Sequence, residues 1–265
     1  MAKSATNKYS AILSDIFKHH YRARLQEFTF QREELESTAR RLGMPLKNLG
    51  DLIYSYRFRT AMPEEIRATE ISGREWIIEL AGDAVYRFRL AKINRILPRE
   101  NQYEIKIPDA TPEIIRRHAL NDEQALLAIV RYNRLIDIFL GVTAYSLQNH
   151  LRTNVPSIGQ IETDEIYVGV RKTGEQFVIP VQAKGGTDQL GAVQLQQDLA
   201  LCRHKFPHLT PRLVAVQFKL TGKVIVMFEV VLQNDEMKIL DERHYRLVPA
   251  SEIVDDDLAT MRRKK

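Results

Sequence analysis

The sequence predicts an α/β protein in two parts. A mixed-sheet core flanked by helices is expected over residues 120–265, preceded by a small α+β domain over residues 1–110. Three observations carry this. Apolar residues recur at helical spacing in three early segments and then alternate in two strand-like runs. The second half is dominated by strand-like runs with helical stretches among them. Between the halves, KIPDATPEIIRRHALND (106–122) breaks periodicity with two prolines and Asn121-Asp122, as a linker does.

In the first half a helix is expected over Tyr9 to Phe28, with Ile12, Leu13, Ile16 and Phe17 on one face. A second covers Arg32 to Leu42 and stops at Gly43, in the usual C-terminal position. A third covers Leu46 to Tyr56. Two strands follow, Glu75–Leu80 and Ala84–Leu90, around Ala81-Gly82-Asp83. In the second of these, Tyr86, Phe88 and Leu90 alternate with Arg87 and Arg89, giving one dry and one wet face. Helix, turn, helix and hairpin is the order of a winged helix, whose second helix of the pair enters the major groove. Lys47, Asn48, Tyr54, Arg57 and Arg59 would then face DNA, with Arg87 and Arg89 on the hairpin. Arg and Asn form paired hydrogen bonds to guanine and adenine edges. The competing expectation is a small module whose polar face is merely wet, with Trp76, Tyr86 and Phe88 in its core.

In the second half, helices are expected over Asp122–Phe139, Val142–Leu151 and Leu190–Cys202. Strands are expected over Ile161–Val170, Gln176–Gln182, Arg212–Gln217 and Lys223–Val231, with Thr173-Gly174 turning the first into the second. Period-2 alternation puts Gln160, Glu162 and Asp164 on one face of the first strand, and Gln182 and Lys184 on one face of the second. A hairpin would set Asp164 beside Gln182 and Lys184. Phosphodiester hydrolysis needs a hard cation that polarises the phosphate and lowers the pKa of a water. Asp164, the Gln182 amide oxygen and the Ala183 carbonyl are oxygen donors of the kind Mg²⁺ takes, with Mn²⁺ as the alternative. Lys184 would hold a water or stabilise charge growing on the phosphate.

Val181-Gln182-Ala183-Lys184, the helix carrying Gln194-Leu195-Gln196-Gln197-Asp198-Leu199 and the strand Leu213–Val216 resemble the PD-(D/E)XK nuclease superfamily. Within it they resemble the Mrr-like restriction branch, where the second acidic ligand is often Gln in a Q-x-K signature. The resemblance covers roughly residues 122–232 and implies a restriction-endonuclease-like core. The segment Lys47–Arg59 is similar to the helical DNA-binding region before some such cores. Two departures stand out. The family often adds a glutamate from the helix before the first strand, and Tyr145–His150 holds no acid, which leaves Glu162 as its substitute. Gln182 is also a weaker ligand than a carboxylate.

Other chemistries fit poorly. Cys202 is the only cysteine, so no internal disulfide or zinc–cysteine site can form. His204 and His208 are separated by Pro207, and the Gly185-Gly186 pair follows the lysine where a phosphate loop would have it precede. No run approaches the ~20 apolar residues that span a bilayer, and the first residues lack a secretory core. A cytosolic protein is therefore expected. Net charge is +5, of which +4 falls in residues 1–110 (19 Lys+Arg against 15 Asp+Glu). That suits phosphate-bearing partners without specifying them. The expected activity is Mg²⁺-dependent, sequence-specific cleavage of double-stranded DNA. A homodimer is expected if the target is palindromic, and a DNA methyltransferase encoded nearby would be its companion. The alternatives are a structure- or damage-directed repair nuclease, or a DNA-binding regulator with a silent core.

Overall fold

A computed structural model describes residues 2–46, 48–58, 60–92, 95–118, 123–156, 158–185, 190–219, 224–233 and 236–263. It divides into two compact units, Met1–Asn94 with Asn154–Gln160, and Arg95–Thr153 with Ile161–Lys265.

In the first unit α1 (Ala2–His20) leads to β1 (Glu27–Gln31), α2 (Arg32–Arg41), α3 (Leu49–Phe58), the single turn α4 (Glu64–Arg67), β2 (Arg74–Gly82) and β3 (Val85–Lys92). The stripe Ile12, Leu13, Ile16 and Phe17 is buried against Phe30, Trp76, Ile78 and Phe88, so the helical spacing does mark a core face. Trp76, Tyr86 and Phe88 are core residues, and Trp76 Nε1 donates to Thr69 Oγ1 at 2.9 Å. The first helix stops at His20, well short of Phe28. Arg24 takes a left-handed conformation, φ 73°, and the chain turns into β1. β1 pairs with β3 antiparallel, giving a three-stranded sheet in the order β1-β3-β2. The sequence hides β1 because only five residues, EFTFQ, form it and only Phe30 is fully buried. Gln31 N–H donates to Glu34 Oε1 at 2.7 Å and so opens α2.

The second unit is α/β, with a mixed eight-stranded sheet. It runs β4 (Arg95–Ile96), β5 (Glu104–Pro108), α5 (Glu113–His118), α6 (Glu123–Tyr132), α7 (Leu135–Leu140), β6 (Thr143–Val155), β7 (Gly159–Val170), β8 (Gln176–Lys184), β9 (Leu190–Gly191), α8 (Ala192–Lys205), β10 (Thr210–Pro211), β11 (Leu213–Phe218), β12 (Val224–Gln233), β13 (Glu236–Val248) and α9 (Asp255–Arg263). The strand order is β5-β13-β12-β11-β8-β7-β6, with β10 beside β8. β7 and β8 pair antiparallel while β8 and β11 pair parallel, which makes the sheet mixed. One face carries Val181, Ala183, Val214 and Val216 under α6 and α7. The other carries Ala215, Val226 and Phe228 under Leu195 and Leu199 of α8.

Three expectations change here. Residues 104–108 are no linker but a strand paired with β13, so the first unit ends at Asn94 rather than near 110. The long helix after 122 is interrupted at Arg134, which is left-handed (φ 50°, ψ 37°) between α6 and α7. There Asn133 fastens the chain, accepting from Ala110 N at 2.7 Å and donating to Thr111 Oγ1 at 2.8 Å. Val142–Leu151, expected as a helix, is most of β6. It is the last strand of its sheet, and residues 145–150 are all exposed, so burial imposes no alternation on it. The Thr173-Gly174 turn forms as expected. Gly174 adopts φ 84°, a conformation that favours glycine, and its N–H donates to Arg171 O at 2.8 Å. Among the described residues, no helix is long and apolar enough to cross a membrane.

Candidate active site

The paired register of the β7–β8 hairpin runs from Val170–Gln176 to Glu165–Val181. One residue beyond it, Asp164 Oδ2 accepts the Ala183 N–H at 2.9 Å. The carboxylate thus takes a backbone donor at the open end of the ladder, and the hairpin does bring Asp164 to Gln182 and Lys184. Ala183 contributes its N–H to this arrangement, while its side chain is buried on the α6 side.

Gln182 and Lys184 are both buried, at 1% and 5% exposure. Gln182 Oε1 has no hydrogen-bond partner among the described residues. Lys184 Nζ donates to Glu123 Oε1 at 2.9 Å, joining the end of β8 to the first residue of α6. α6 is fixed to β7 by Arg131, whose Nε donates to the fully buried Glu165 Oε1 at 2.9 Å. Ser146 Oγ of β6 donates to the same oxygen at 2.5 Å.

Burial raises the Asp164 carboxyl above the usual carboxylate range, and the nearby Glu123 charge adds to this. The Ala183 N–H, Lys184 and His150 pull the other way without cancelling it. An Asp164 carboxylate disfavoured by burial and by Glu123 is one that a bound cation would relieve. Behind Gln182, Asp198 of α8 is fully buried. Burial pushes its carboxyl up to about 7, against hydrogen bonds from Thr163 and Gln182. Thr163 Oγ1 donates to Asp198 Oδ1 at 2.5 Å.

Glu162 lies on an exposed part of β7, where His150 Nδ1 is 3.1 Å and Arg152 Nε 3.0 Å from its carboxylate. The acid that meets Lys184 is therefore Glu123. Sequence reasoning misses it by seeking the preceding helix at 145–150, a segment that is itself part of the strand β6. It misses Thr163 and Asp198 as well. Asp198 lies in the helix that suggests the family, but only the packing of α8 on the sheet shows it behind Gln182. Cys202 is buried in α8, and burial raises its thiol well above the normal range, which disfavours the thiolate.

Among the described residues, no group of three or more His, Cys, Asp or Glu side chains is arranged to hold a metal ion. The donor set here is two carboxylates, Asp164 and Glu123, and one amide oxygen, Gln182 Oε1, which lacks a partner among the described residues. Such an all-oxygen set suits Mg²⁺, which keeps several of its waters.

In the first unit, the proposed DNA contacts have these positions. Asn48 is exposed, and its Oδ1 accepts the Asp51 N–H at 3.3 Å, so it caps α3. Tyr54 is exposed at 41%. Arg57 is half-buried with Nε and Nη2 enclosed, and burial lowers its guanidinium pKa to about 10, so it is less open to solvent than expected. Arg87 and Arg89 share one carboxylate. Glu79 Oε2 accepts from Arg87 Nη2 at 2.8 Å and from Arg89 Nε at 3.0 Å, and Oε1 accepts from Arg89 Nη2 at 2.5 Å. Lys47 and Arg59 lie outside the described residues. Searches of protein-family models, curated proteins and solved structures find no match to this chain.

Proposed function

We propose that the protein is a metal-dependent endonuclease acting on double-stranded DNA, cutting at the open end of the β7–β8 hairpin. The observation that supports it best is the meeting of Asp164, Gln182 and Lys184 with Glu123 of α6. The family that the sequence resembles often takes an acid from the helix before the first strand, and Glu123 stands in α6, which precedes β6 with α7 between them. Bound Mg²⁺ or Mn²⁺ would polarise the scissile phosphate and lower the pKa of a water. Asp164, Glu123 and the Gln182 oxygen would hold it. Lys184 would orient the attacking water and balance charge that develops on the phosphate. In its pair with Glu123 the ammonium is already fixed in position. Ala183 N–H holds one Asp164 oxygen and leaves the other for the ligand.

For the first unit, the element order α1-β1-α2-α3-α4-β2-β3 and the sheet order β1-β3-β2 support a winged-helix DNA reader. A sequence-specific restriction enzyme, working as a homodimer beside a companion methyltransferase, is the form proposed first. One observation favours a structure- or damage-directed nuclease instead. Asn48 is spent partly as a helix cap and Arg57 is half-buried with Nε and Nη2 enclosed, so α3 offers fewer base-reading groups. The test is supercoiled plasmid and branched DNA incubated with the purified chain in Mg²⁺, Mn²⁺ or chelator. Discrete plasmid fragments support restriction, and cleavage of branched DNA alone supports the second form. Binding without cleavage in any metal makes the protein a regulator with a silent core and ends the nuclease proposal.

A further inference from the structure

We infer that β6 is the surface on which two copies of this chain join, its outer edge pairing antiparallel with the same edge of a second copy about Ser146. β6 is the last strand of the eight-stranded sheet, and among the described residues no strand pairs with its outer edge. Residues 145–150 are all exposed, so no helix or loop covers that edge either. Such an edge points backbone N–H and C=O groups outward, which is a template for one more strand. Folded chains usually guard it with charge, proline or a bulge. Residues 143–149 (Thr-Ala-Tyr-Ser-Leu-Gln-Asn) hold no charged residue and no proline. A guard comes only at His150, whose backbone is left-handed (φ 49°), and at Arg152. Within the unguarded segment Tyr145 is 64% and Leu147 55% exposed. Lying two residues apart on a strand, they share one face.

The occupant that fits this edge is the edge itself. Antiparallel pairing of a strand with its own copy is a two-fold operation, so the segment meets itself. A charged segment would meet its own charge, which destabilises the pair. This one has no charge to meet. Its seven residues are centred on Ser146. Pairing about Ser146 sets Tyr145 of each copy opposite Leu147 of the other, and Thr143 opposite Asn149. The same aromatic–aliphatic cross-strand pair then forms twice, and both exposed side chains leave water. No contact within the chain is lost, because the new bonds use backbone groups. Ser146 Oγ keeps Glu165, and the Asn149 amide oxygen keeps Arg131. β7, which carries Asp164, lies next to β6. Joined edges put the two β7 strands three strand spacings apart, about 14 Å, with like faces of the two sheets on one side. Two candidate sites would then serve one duplex, a consequence that rests on the nuclease proposal.

The test compares the full-length chain with Leu147→Lys by sedimentation over a roughly hundredfold range of concentration, since a dimer held by mass action dissociates on dilution. The substitution puts a charge on the edge, as guarded strands do. Leu147 is more than half exposed, so the monomer folds without it, and matching circular dichroism checks this. Wild type is expected to dimerise, and Leu147→Lys to associate at least about tenfold more weakly, because symmetry loses the same pair twice. Cross-linking fixes the register. Cys202 is the chain's only cysteine and is fully buried, so an introduced thiol reports alone. Under mild oxidation, Tyr145→Cys mixed with Leu147→Cys is expected to give more disulfide-linked dimer than either variant by itself. A wild type that stays monomeric throughout overturns the inference. So does a dimer that Leu147→Lys leaves unchanged, or a mixture that cross-links no better than its components. Plasmid cleavage reports separately: a Leu147→Lys protein that nicks one strand where wild type cuts both supports paired sites. If wild type cuts nothing, the nuclease proposal fails by itself, and sedimentation and cross-linking still decide this inference.

Discussion

Lys184 Nζ lies 2.9 Å from Glu123 Oε1, so the last residue of β8 and the first of α6 form an ion pair. The lysine side chain is nearly enclosed while the glutamate is about one-third exposed. A cation held by a carboxylate at the edge of a buried site is aimed, which is what stabilising a phosphate in reaction requires.

Glu123→Gln is expected to reduce single-turnover plasmid cleavage by about 100-fold, the scale for loss of one pre-positioned charge at a reacting centre. Asp164→Ala should abolish cleavage, and both variants should still bind DNA. Cleavage by Glu123→Gln at the wild-type rate would remove Glu123 from the site. The pair also predicts that Lys184→Met costs stability, because Glu123 and Asp164 are left facing each other without a cation.

Glu79 holds Arg87 and Arg89 together, and these three groups carry a net charge of +1 rather than +2. Glu79→Gln should therefore strengthen binding to every duplex alike and steepen its salt dependence by about one unit. It should also cost about 2 kcal/mol of stability, since it weakens charge-assisted hydrogen bonds to two partly exposed guanidinium groups. If binding to a scrambled duplex is unchanged at several salt concentrations, the two arginines do not touch phosphate.

Asn48 has two candidate roles that one pair of variants separates. Loss of a helix cap costs about 1 kcal/mol, and aspartate caps as well as asparagine does. Asn48→Ala should lower the urea midpoint, while Asn48→Asp should keep it. An aspartate cannot make the two-bond contact an amide makes with adenine. Asn48→Asp that folds normally but loses preference for its cognate duplex identifies a base reader. Preserved preference leaves Asn48 as a cap alone.

What the sequence makes legible is whatever burial writes as periodicity. Ile12, Leu13, Ile16 and Phe17 share a face because they meet one core, and β7 and β8 are readable because each is covered. β6 and β1 are not legible for the complementary reason. One is an exposed end strand, and the other is five residues with a single buried side chain. At the candidate site, Asp164, Gln182 and Lys184 can be named from a short motif within one hairpin. Glu123 and Asp198 cannot, because each is brought in by a helix packing on the sheet. Glu123 lies 61 residues before the lysine it pairs with.

Asp198 gives stability a pH dependence whose sign follows from its burial. Its carboxyl is raised in the folded protein to about 7, while in the unfolded chain it has the ordinary value of 3.8. Below pH ~4 both states are protonated and the group adds no slope. Between ~4 and ~7 the folded protein keeps a proton that the unfolded chain has released. Stability therefore falls as pH rises through this window, by at most about 1.4 kcal/mol per pH unit for one proton. Above ~7 both states are ionised and the loss is complete. Asp198→Asn removes this slope, since asparagine does not titrate. Urea unfolding of both proteins in chelator, at steps from pH 5 to 8 (roughly the window set by these values), is expected to show the variant gaining on wild type as pH rises. Two parallel curves would mean that Asp198 is ionised in the folded protein throughout this range, balanced by Thr163, Gln182 and Lys184.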